Sequence, residues 1–202
     1  EFGKPQNEGG RIGIIENAIG EVGVDGQRIG KESVKRTEID NGSIFCSCRS
    51  EQFLRALQKL SHYRFRVMFV ESSGISDPSP IKNNLKVVNK LVDNPYDYKG
   101  AICVVDSSSF MDMIGMLESL VRQVKHADVI LLNKADLSTE QEMTKIEKKI
   151  EDIRGDLSKP TFIRTEYCDV NFSEISEALT VSQGTEPEEG TNTPENQPLK
   201  LT

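Results

Sequence analysis

The sequence has few of the side chains on which several functions depend. Its 202 residues include no tryptophan and only two histidines, and aromatic residues make up 6% of the chain. Platforms that stack nucleic-acid bases need exposed aromatic rings, and a histidine-rich metal store needs many imidazoles. The composition therefore supports neither role. The four cysteines are too few for a disulfide scaffold in a chain of this size and are compatible with a reducing compartment.

The chain also lacks an excess of positive charge. The chain carries 25 Lys+Arg against 32 Asp+Glu, for a net charge of −7, and the positive residues form no cluster. Nucleic acids and anionic membranes are held by a concentrated positive face, so neither partner is expected. No apolar run approaches the roughly 20 residues of a membrane-spanning helix, and the polar N-terminus does not resemble a secretion signal. We therefore expect a cytoplasmic protein.

The sequence does contain short β-branched runs that alternate with longer helical patterns. This order is typical of βαβ units and a largely parallel sheet. Most of the predicted strands are continuous apolar runs, as expected for strands covered on both faces; they are residues 11–16, 65–71, 101–106, 128–133 and 161–164. A sixth strand is predicted at residues 34–40, where apolar and polar residues alternate, and it is expected at an edge of the sheet. Helices are predicted over residues 51–62, 81–93, 110–126, 139–154 and 172–179.

These elements predict one folded domain over residues 11–179, preceded by a polar head at residues 1–10. The remaining residues, 180–202, include no aromatic side chain, three of the eight prolines, and four glutamates against one lysine. Such a composition cannot bury enough apolar surface to fold, so we expect a disordered tail.

The most specific motif is Asn133-Lys134-Ala135-Asp136, which follows a predicted buried strand and matches the N-K-x-D pattern of guanine recognition. The Asp136 carboxylate can accept hydrogen bonds from N1–H and the exocyclic amine of guanine, whereas adenine has an acceptor at N1. Asn133 is suited to the O6/N7 side and to bracing the neighbouring loop, and the stem of Lys134 to covering the base. A helix-capping turn with a surface lysine is the alternative. The position at a strand end favours guanine recognition.

A second predicted strand ends at Glu71, and Gly74 follows three places later. This is the D/E-x-x-G layout of nucleotide hydrolases. An acid there can hold Mg²⁺ directly or through water, and the glycine N–H can approach a terminal phosphate. We expect the loop, which includes Asp77, to sense the γ-phosphate. A turn in which Asp77-Pro78 starts the next helix is the alternative.

Three acids lie within ten residues at the end of the first predicted strand: Glu16, Glu21 and Asp25. Solvated loop acids are the commoner explanation for such residues. Their expected position beside the other two loops makes them candidates for a switch segment associated with Mg²⁺.

Cys46 and Cys48 lie two residues apart in a predicted turn, just before a helix whose N-terminus lowers a thiol pKa. Such thiolates bind soft or borderline divalent metals. Two ligands do not complete a tetrahedral site, so further donors must come from elsewhere in the chain, a second subunit or a client. The hypothesis is an open site for a transferable metal, and structural packing is the alternative. Cys103 lies within an apolar strand and is expected in the core, while Cys168 lies in a late loop.

Four segments, ENAIGEVGVDG, NGSIFCSCR, ESSGISDP and NKADL, occur in an order and spacing that resemble the metallochaperone GTPases of the CobW/HypB/UreG family, nearest its CobW branch. The resemblance covers about residues 11–170. It implies a P-loop NTPase-like, three-layer α/β fold with a mostly parallel sheet. It also implies GTP- and Mg²⁺-dependent delivery of Zn²⁺, Co²⁺ or Ni²⁺ to a metalloprotein or cobalamin-pathway client, with a homodimer as one possible assembly. By that match Glu71 is the switch-loop acid, and Asn133, Lys134 and Asp136 bind the base.

The chain departs from the family pattern in three places. It has no Gly-x-x-x-x-Gly-Lys-Ser/Thr phosphate loop, so we expect a domain without its first strand and with little phosphate affinity of its own. The family's Cys-x-Cys-Cys aligns with residues 43–46, where only Cys46 remains, and Cys48 is gained. No second domain is expected after residue 179.

Two functions of different classes follow from these observations. The leading hypothesis is an enzyme, a GTPase whose phosphate loop lies upstream and which couples nucleotide state to metal transfer or to cofactor loading. The alternative is a non-catalytic module that uses Cys46 and Cys48 for a metal, or a loop surface for a protein partner. A kinase-like or dehydrogenase-like protein is disfavoured, because no G-x-G-x-x-G opens a helix after the first strand.

Overall fold

A computed structural model describes residues 12–18, 34–40, 50–63, 65–74 and 76–181. These residues group into two compact units, the first within residues 1–73 and 83–96 and the second within residues 74–82 and 97–191. Most of the predicted tail lies outside the described part of the chain. The same is true of four predicted site residues: Glu21, Asp25, Cys46 and Cys48.

The first unit contains a three-stranded parallel sheet in the order β2-β1-β3. Its strands are β1 (Ile12–Ala18), β2 (Val34–Asp40) and β3 (Val67–Glu71). Among the strands that the structure describes, β2 lies at an end of this order, as predicted for an edge strand. Helix α1 (Ser50–Leu60) continues into a 3₁₀ turn, Ser61–Tyr63. Its buried side chains recur at the three- or four-residue spacing of one helix face: Phe53, Leu57 and Leu60.

The second unit contains a parallel sheet in the order β4-β5-β6. Its strands are β4 (Ile102–Asp106), β5 (Val129–Asn133) and β6 (Thr161–Thr165). Its helices are α3 (Phe110–Met113), α4 (Glu118–His126), α5 (Glu140–Arg154) and α6 (Phe172–Val181). In chain order, α2 (Ile81–Val88) begins among the residues of the second unit and ends among those of the first.

Strand β5 is covered on both faces, because its alternating side chains enter two hydrophobic clusters. Ile130 and Leu132 pack with residues of α3, α4 and α5. Val129 and Leu131 pack with Ile163 of β6 and with residues of α6. A continuous apolar strand is expected in such a position. The predicted α/β class with parallel sheets is confirmed, and the central strand carries Asn133 at its carboxyl end.

The single helix predicted over residues 110–126 is wrong. α3 ends at Met113, and α4 begins at Glu118 after a turn that includes Gly115. The apolar residues keep a helical spacing across this segment. Glycine is a poor helix former, and the backbone is not helical there.

The helix predicted over residues 81–93 is also too long. It ends at Val88, and the next side chain, Asn89, donates to the Tyr96 carbonyl and accepts from the Tyr96 N–H, both at 2.8 Å. Asparagine offers the backbone such partners in place of helical ones. None of the described helices is long and apolar enough to cross a membrane.

Candidate functional site

Polar side chains end three neighbouring strands of the second unit. Asp106 of β4 is in register with Asn133 of β5, and Asn133 is in register with Thr165 of β6. Neighbouring strands lie about 4.8 Å apart, and ligands bind at the carboxyl ends of parallel strands. The predicted base-recognition motif therefore begins within a row of three strand ends.

The Asn133 side chain ties β5 to the loop after β6. Its Oδ1 accepts hydrogen bonds from Thr165 Oγ1 at 3.1 Å and from the Cys168 backbone N–H at 2.8 Å. Tyr167 and Cys168 both have a positive φ, 52° and 56°, which is uncommon for residues other than glycine and persists where neighbouring groups hold it. The structure thus contains the hydrogen bonds that the bracing role of Asn133 requires. Its contact with a base stays a prediction.

Lys134 leaves β5 in a left-handed conformation, with φ 60° and ψ 37°. Its Nζ donates to Asp106 Oδ2 at 2.6 Å, so the side chain crosses from the end of β5 to the end of β4. Asp106 also accepts from the N–H and the hydroxyl of Ser108, at 3.0 and 2.6 Å. Hydrogen bonds from Lys134, and next from Ser108, hold the pKa of Asp106 below its ordinary value. The carboxylate is therefore charged near neutral pH and anchors the ammonium group.

Asp136 lies in a 3₁₀ turn, Ala135–Leu137, with its side chain exposed. No other described residue forms a hydrogen bond or an ion pair with its carboxylate. The following helix, α5, is capped by different residues: Thr139 N–H donates to Glu142 Oε2 at 2.7 Å, and Glu142 N–H donates to Thr139 Oγ1 at 3.4 Å. A helix-capping role for the motif therefore leaves Asp136 unexplained, and its two carboxylate oxygens are available to accept from a ligand.

The start of the loop after β3 is flanked by two exposed residues, Glu71 and Gly74. Glu71 is the last residue of β3 and belongs to the first unit, whereas Gly74 belongs to the second. A Cβ added to Gly74 would meet no atom within 4 Å, and the residue does not have a positive φ. Neither packing nor backbone conformation requires glycine there. The approach of a phosphate to the Gly74 N–H, and of Mg²⁺ to Glu71, stays a prediction.

Asp77, the second acid of this predicted loop, is buried. Its side chain is 1% exposed, its Oδ2 lies 3.2 Å from Arg122 Nε of α4, and its Oδ1 accepts the Ser79 N–H at 2.9 Å. In this arrangement the carboxylate holds the loop together. Its association with Mg²⁺ stays a prediction.

Glu16 lies within β1 and is buried, at 7% exposure. It is in register with Glu38 of β2 on one side and with Glu71 of β3 on the other. Across the described ranges, no group of three or more histidine, cysteine, aspartate or glutamate residues is arranged to hold a metal ion. The predicted metal ligands, Cys46 and Cys48, lie outside those ranges.

Sequence reasoning missed three residues of this region: Asp106, Arg122 and Gln123. The position of Asp106 could have been predicted from the sequence. The predicted strand over residues 101–106 ends in this acid, just as the strand before Lys134 ends in a polar residue. The roles of Arg122 and Gln123 could not have been predicted, because these residues contact a loop more than forty residues earlier in the chain. The expectation for Cys103 is confirmed: it is buried, and burial raises the pKa of its thiol to about 12.

The comparison with known proteins shows the family to which this sequence is similar. The model of the CobW/HypB/UreG nucleotide-binding domain matches residues 5–159. Zinc-regulated GTPase metalloprotein activator 1 of Dictyostelium discoideum is 28% identical over 183 residues, covering 73% of this chain and 38% of that protein. The zinc chaperone YjiA of Escherichia coli is 32% identical over 143 residues, covering 68% of this chain and 44% of that protein. The chain thus spans about two-fifths of the length of these relatives.

Solved structures show the same fold. The Zn(II)-bound YjiA GTPase from Escherichia coli has a TM-score of 0.56 at 23% identity, over 84% of this chain and 53% of that chain. HypB from Helicobacter pylori, in complex with nickel, has a TM-score of 0.50 at 12% identity, over 86% of this chain and 72% of that chain. Both share the α/β fold described above.

Proposed function

We propose, from the premise that this chain belongs to the CobW/HypB/UreG family, that it is the guanine-recognising part of a GTPase that delivers zinc to a metalloprotein client. The observation that carries the proposal is the Asp136 carboxylate, which is exposed after the central strand and takes no part in capping α5. Relatives named as zinc chaperones and as a zinc-regulated activator support zinc as the cargo. They favour this function over a non-catalytic binding module.

The base would be selected by the direction of its hydrogen bonds. Guanine presents two donors on one edge, N1–H and the exocyclic amine, and the two oxygens of Asp136 accept both. Hydrogen bonds to a charged acceptor are stronger than neutral ones. Adenine has an acceptor at N1, which would face the carboxylate without a proton between them. Lys134, tied to Asp106, supplies an aliphatic stem for the face of the ring.

Glu71 and Gly74 would serve the phosphate end of the nucleotide. The exposed Glu71 carboxylate is an oxygen ligand of the kind that Mg²⁺ takes directly or through water. Mg²⁺, when bound, neutralises charge on the phosphate oxygens. Gly74 leaves its N–H open to a γ-phosphate, because it has no side chain to obstruct the approach. The 202 residues include no glycine-rich phosphate loop, so the tests below use the full-length protein.

The decisive experiment is Asp136→Asn in the full-length protein, with nucleotide affinity measured by fluorescence titration. GTP affinity should fall by about 100-fold or more, the cost of two hydrogen bonds to a charged group. The affinity for xanthosine triphosphate should rise, because xanthine has an acceptor where guanine has its amine. Asp152→Asn, an exposed acid on α5, is the matched control and should change neither affinity. An unchanged preference for guanine over xanthine in Asp136→Asn would refute the assignment.

The cargo half of the proposal needs its own measurement. Cys46→Ser combined with Cys48→Ser should abolish stoichiometric Zn²⁺ binding under reducing conditions, with Co²⁺ and Ni²⁺ titrated in parallel to compare metals. If the double variant still binds Zn²⁺ at full stoichiometry, the two thiols are not the metal ligands and have a structural role.

A further inference from the structure

Helix α4 holds the loop after β3 through two consecutive side chains. Gln123 Nε2 donates to the carbonyl oxygens of Gly74 and Ser76, each at 2.8 Å. Arg122 Nε donates to Asp77 Oδ2 at 3.2 Å. A primary amide has two N–H donors, so Gln123 commits both of them to this loop. The described residues of the 74–79 loop are thus tied to one helix at three points.

The helix that makes these contacts is itself fixed to the central strand. Val124, the residue after Gln123, is fully buried in the cluster that contains Ile130 and Leu132 of β5. Packed interiors transmit displacement and absorb little of it. The 74–79 loop and the motif that follows β5 are therefore positioned from the same core.

The Gln123 contacts satisfy the carbonyl of Ser76, which is buried, and fix the position of the exposed Gly74 carbonyl. Gln123 is half-buried and Gly74 is exposed, so water could bond to the Gly74 carbonyl at little cost. A direct pair of bonds from one planar amide instead fixes the spacing and orientation of two carbonyls in the backbone segment that contains Gly74. The Ser76 carbonyl shares its planar peptide group with the Asp77 N–H, so fixing the direction of that carbonyl also fixes the direction of that N–H.

We propose that Gln123 is a positioning residue that preorganises the 74–79 loop for the terminal phosphate of GTP, with Arg122 holding the other end of the loop through Asp77. This inference rests on the proposed function, because it assigns the loop to the γ-phosphate. Without Gln123 the loop must become ordered when GTP binds, and that cost lowers affinity. GDP lacks the γ-phosphate and does not depend on the loop.

The test compares two substitutions in the full-length protein. Gln123→Met keeps the length of the side chain and removes both donors, whereas Gln123→Lys keeps N–H donors within reach of the carbonyls. For Gln123→Met we expect about a tenfold loss of affinity for a non-hydrolysable GTP analogue, the order of one or two neutral hydrogen bonds, with GDP affinity within about twofold of wild type. Amide hydrogen exchange at Ser76, Asp77 and Ser79 should accelerate without nucleotide. Gln123→Lys should restore both properties.

The outcomes separate this proposal from the one on which it rests. A wild-type protein that binds neither nucleotide contradicts the proposed function. Wild-type binding with an equal loss of GDP and GTP-analogue affinity in Gln123→Met overturns only the role of Gln123, because equal losses report a structural defect. An unchanged affinity ratio with unchanged hydrogen exchange overturns it as well.

Discussion

A single ion pair fixes the lysine of the base-recognition motif. Lys134 Nζ lies 2.6 Å from Asp106 Oδ2, and the two side chains are 48% and 39% exposed. An exposed pair of this kind contributes only about 1 kcal/mol or less to the free energy of unfolding. Its effect is therefore positional, since it holds the lysine side chain between the ends of two strands, where the base is proposed to lie.

We predict that Asp106→Asn in the full-length protein lowers the affinities for GTP and GDP alike, by about fivefold, with little change in stability. The two losses should match, because both nucleotides present the same base to Lys134. Fluorescence titration with both nucleotides measures this. Asp112→Asn, an exposed acid on α3, serves as the control. A loss of affinity confined to GTP would contradict the prediction, because it would indicate that Asp106 acts on the phosphates and not on the base.

The effect of Asp106 should not depend on pH near neutrality. Its pKa is lowered from 3.8 by Lys134 and Ser108. A group with a lowered folded pKa contributes stability that is present above the ordinary pKa and lost as the pH falls through the folded one. The ratio of wild-type to Asp106→Asn affinity should therefore stay constant between about pH 6 and pH 8.

At the scale of elements, the C-terminal end of α4 depends on an arginine from another helix. Arg154, the last residue of α5, donates from Nη1 to the carbonyls of Val124, Lys125 and Ala127, at 3.0, 2.7 and 2.7 Å. It also bonds to the Ser158 carbonyl. The side chain is 3% exposed, and burial lowers the pKa of its guanidinium. One buried cation thus satisfies the carbonyls that a helix end leaves without partners.

We predict that Arg154→Met lowers the free energy of unfolding by about 3 kcal/mol, because it leaves buried carbonyls without donors. Arg164→Met is the matched control. Arg164 bonds to Glu140 and Glu147 on the surface with its side chain 37% exposed, and such pairs contribute about 1 kcal/mol or less. Urea unfolding measures both. Equal losses would show that the carbonyls of α4 do not need Arg154.

The elements that could be predicted from the sequence are those whose cause is local. β5 was predictable because consecutive apolar residues between polar ends indicate a strand buried on both faces, and the motif after it is contiguous. The break between α3 and α4 was not, because apolar spacing continues across Gly115 while the backbone turns. The contacts of Asp77 with Arg122 and of Gly74 with Gln123 join residues 45 and 49 positions apart. No spacing rule relates such distant residues, so that part of the site required the structure.

At the scale of the whole molecule, the net charge favours a single nucleotide over a nucleic acid as the phosphate-bearing ligand. The chain carries a charge of −7 at pH 7. A nucleic acid presents a line of phosphates that must be neutralised by many cations, and its affinity falls steeply with salt. A single nucleotide needs only a few local donors. An acidic chain is therefore compatible with a mononucleotide and unfavourable for a polynucleotide.

The last prediction follows from this contrast. Duplex DNA should show no binding to the chain in fluorescence anisotropy at about 0.1 M salt with protein near 10 μM, because the electrostatic contribution that supplies non-specific binding has the wrong sign. Solubility should be lowest near the sequence pI of 5.0, where net repulsion between molecules vanishes. Saturable DNA binding that weakens as salt is added would contradict the prediction, because it would require a positive surface that the composition does not indicate. Binding that persists unchanged at high salt would point to another cause, since counterion release could not drive it.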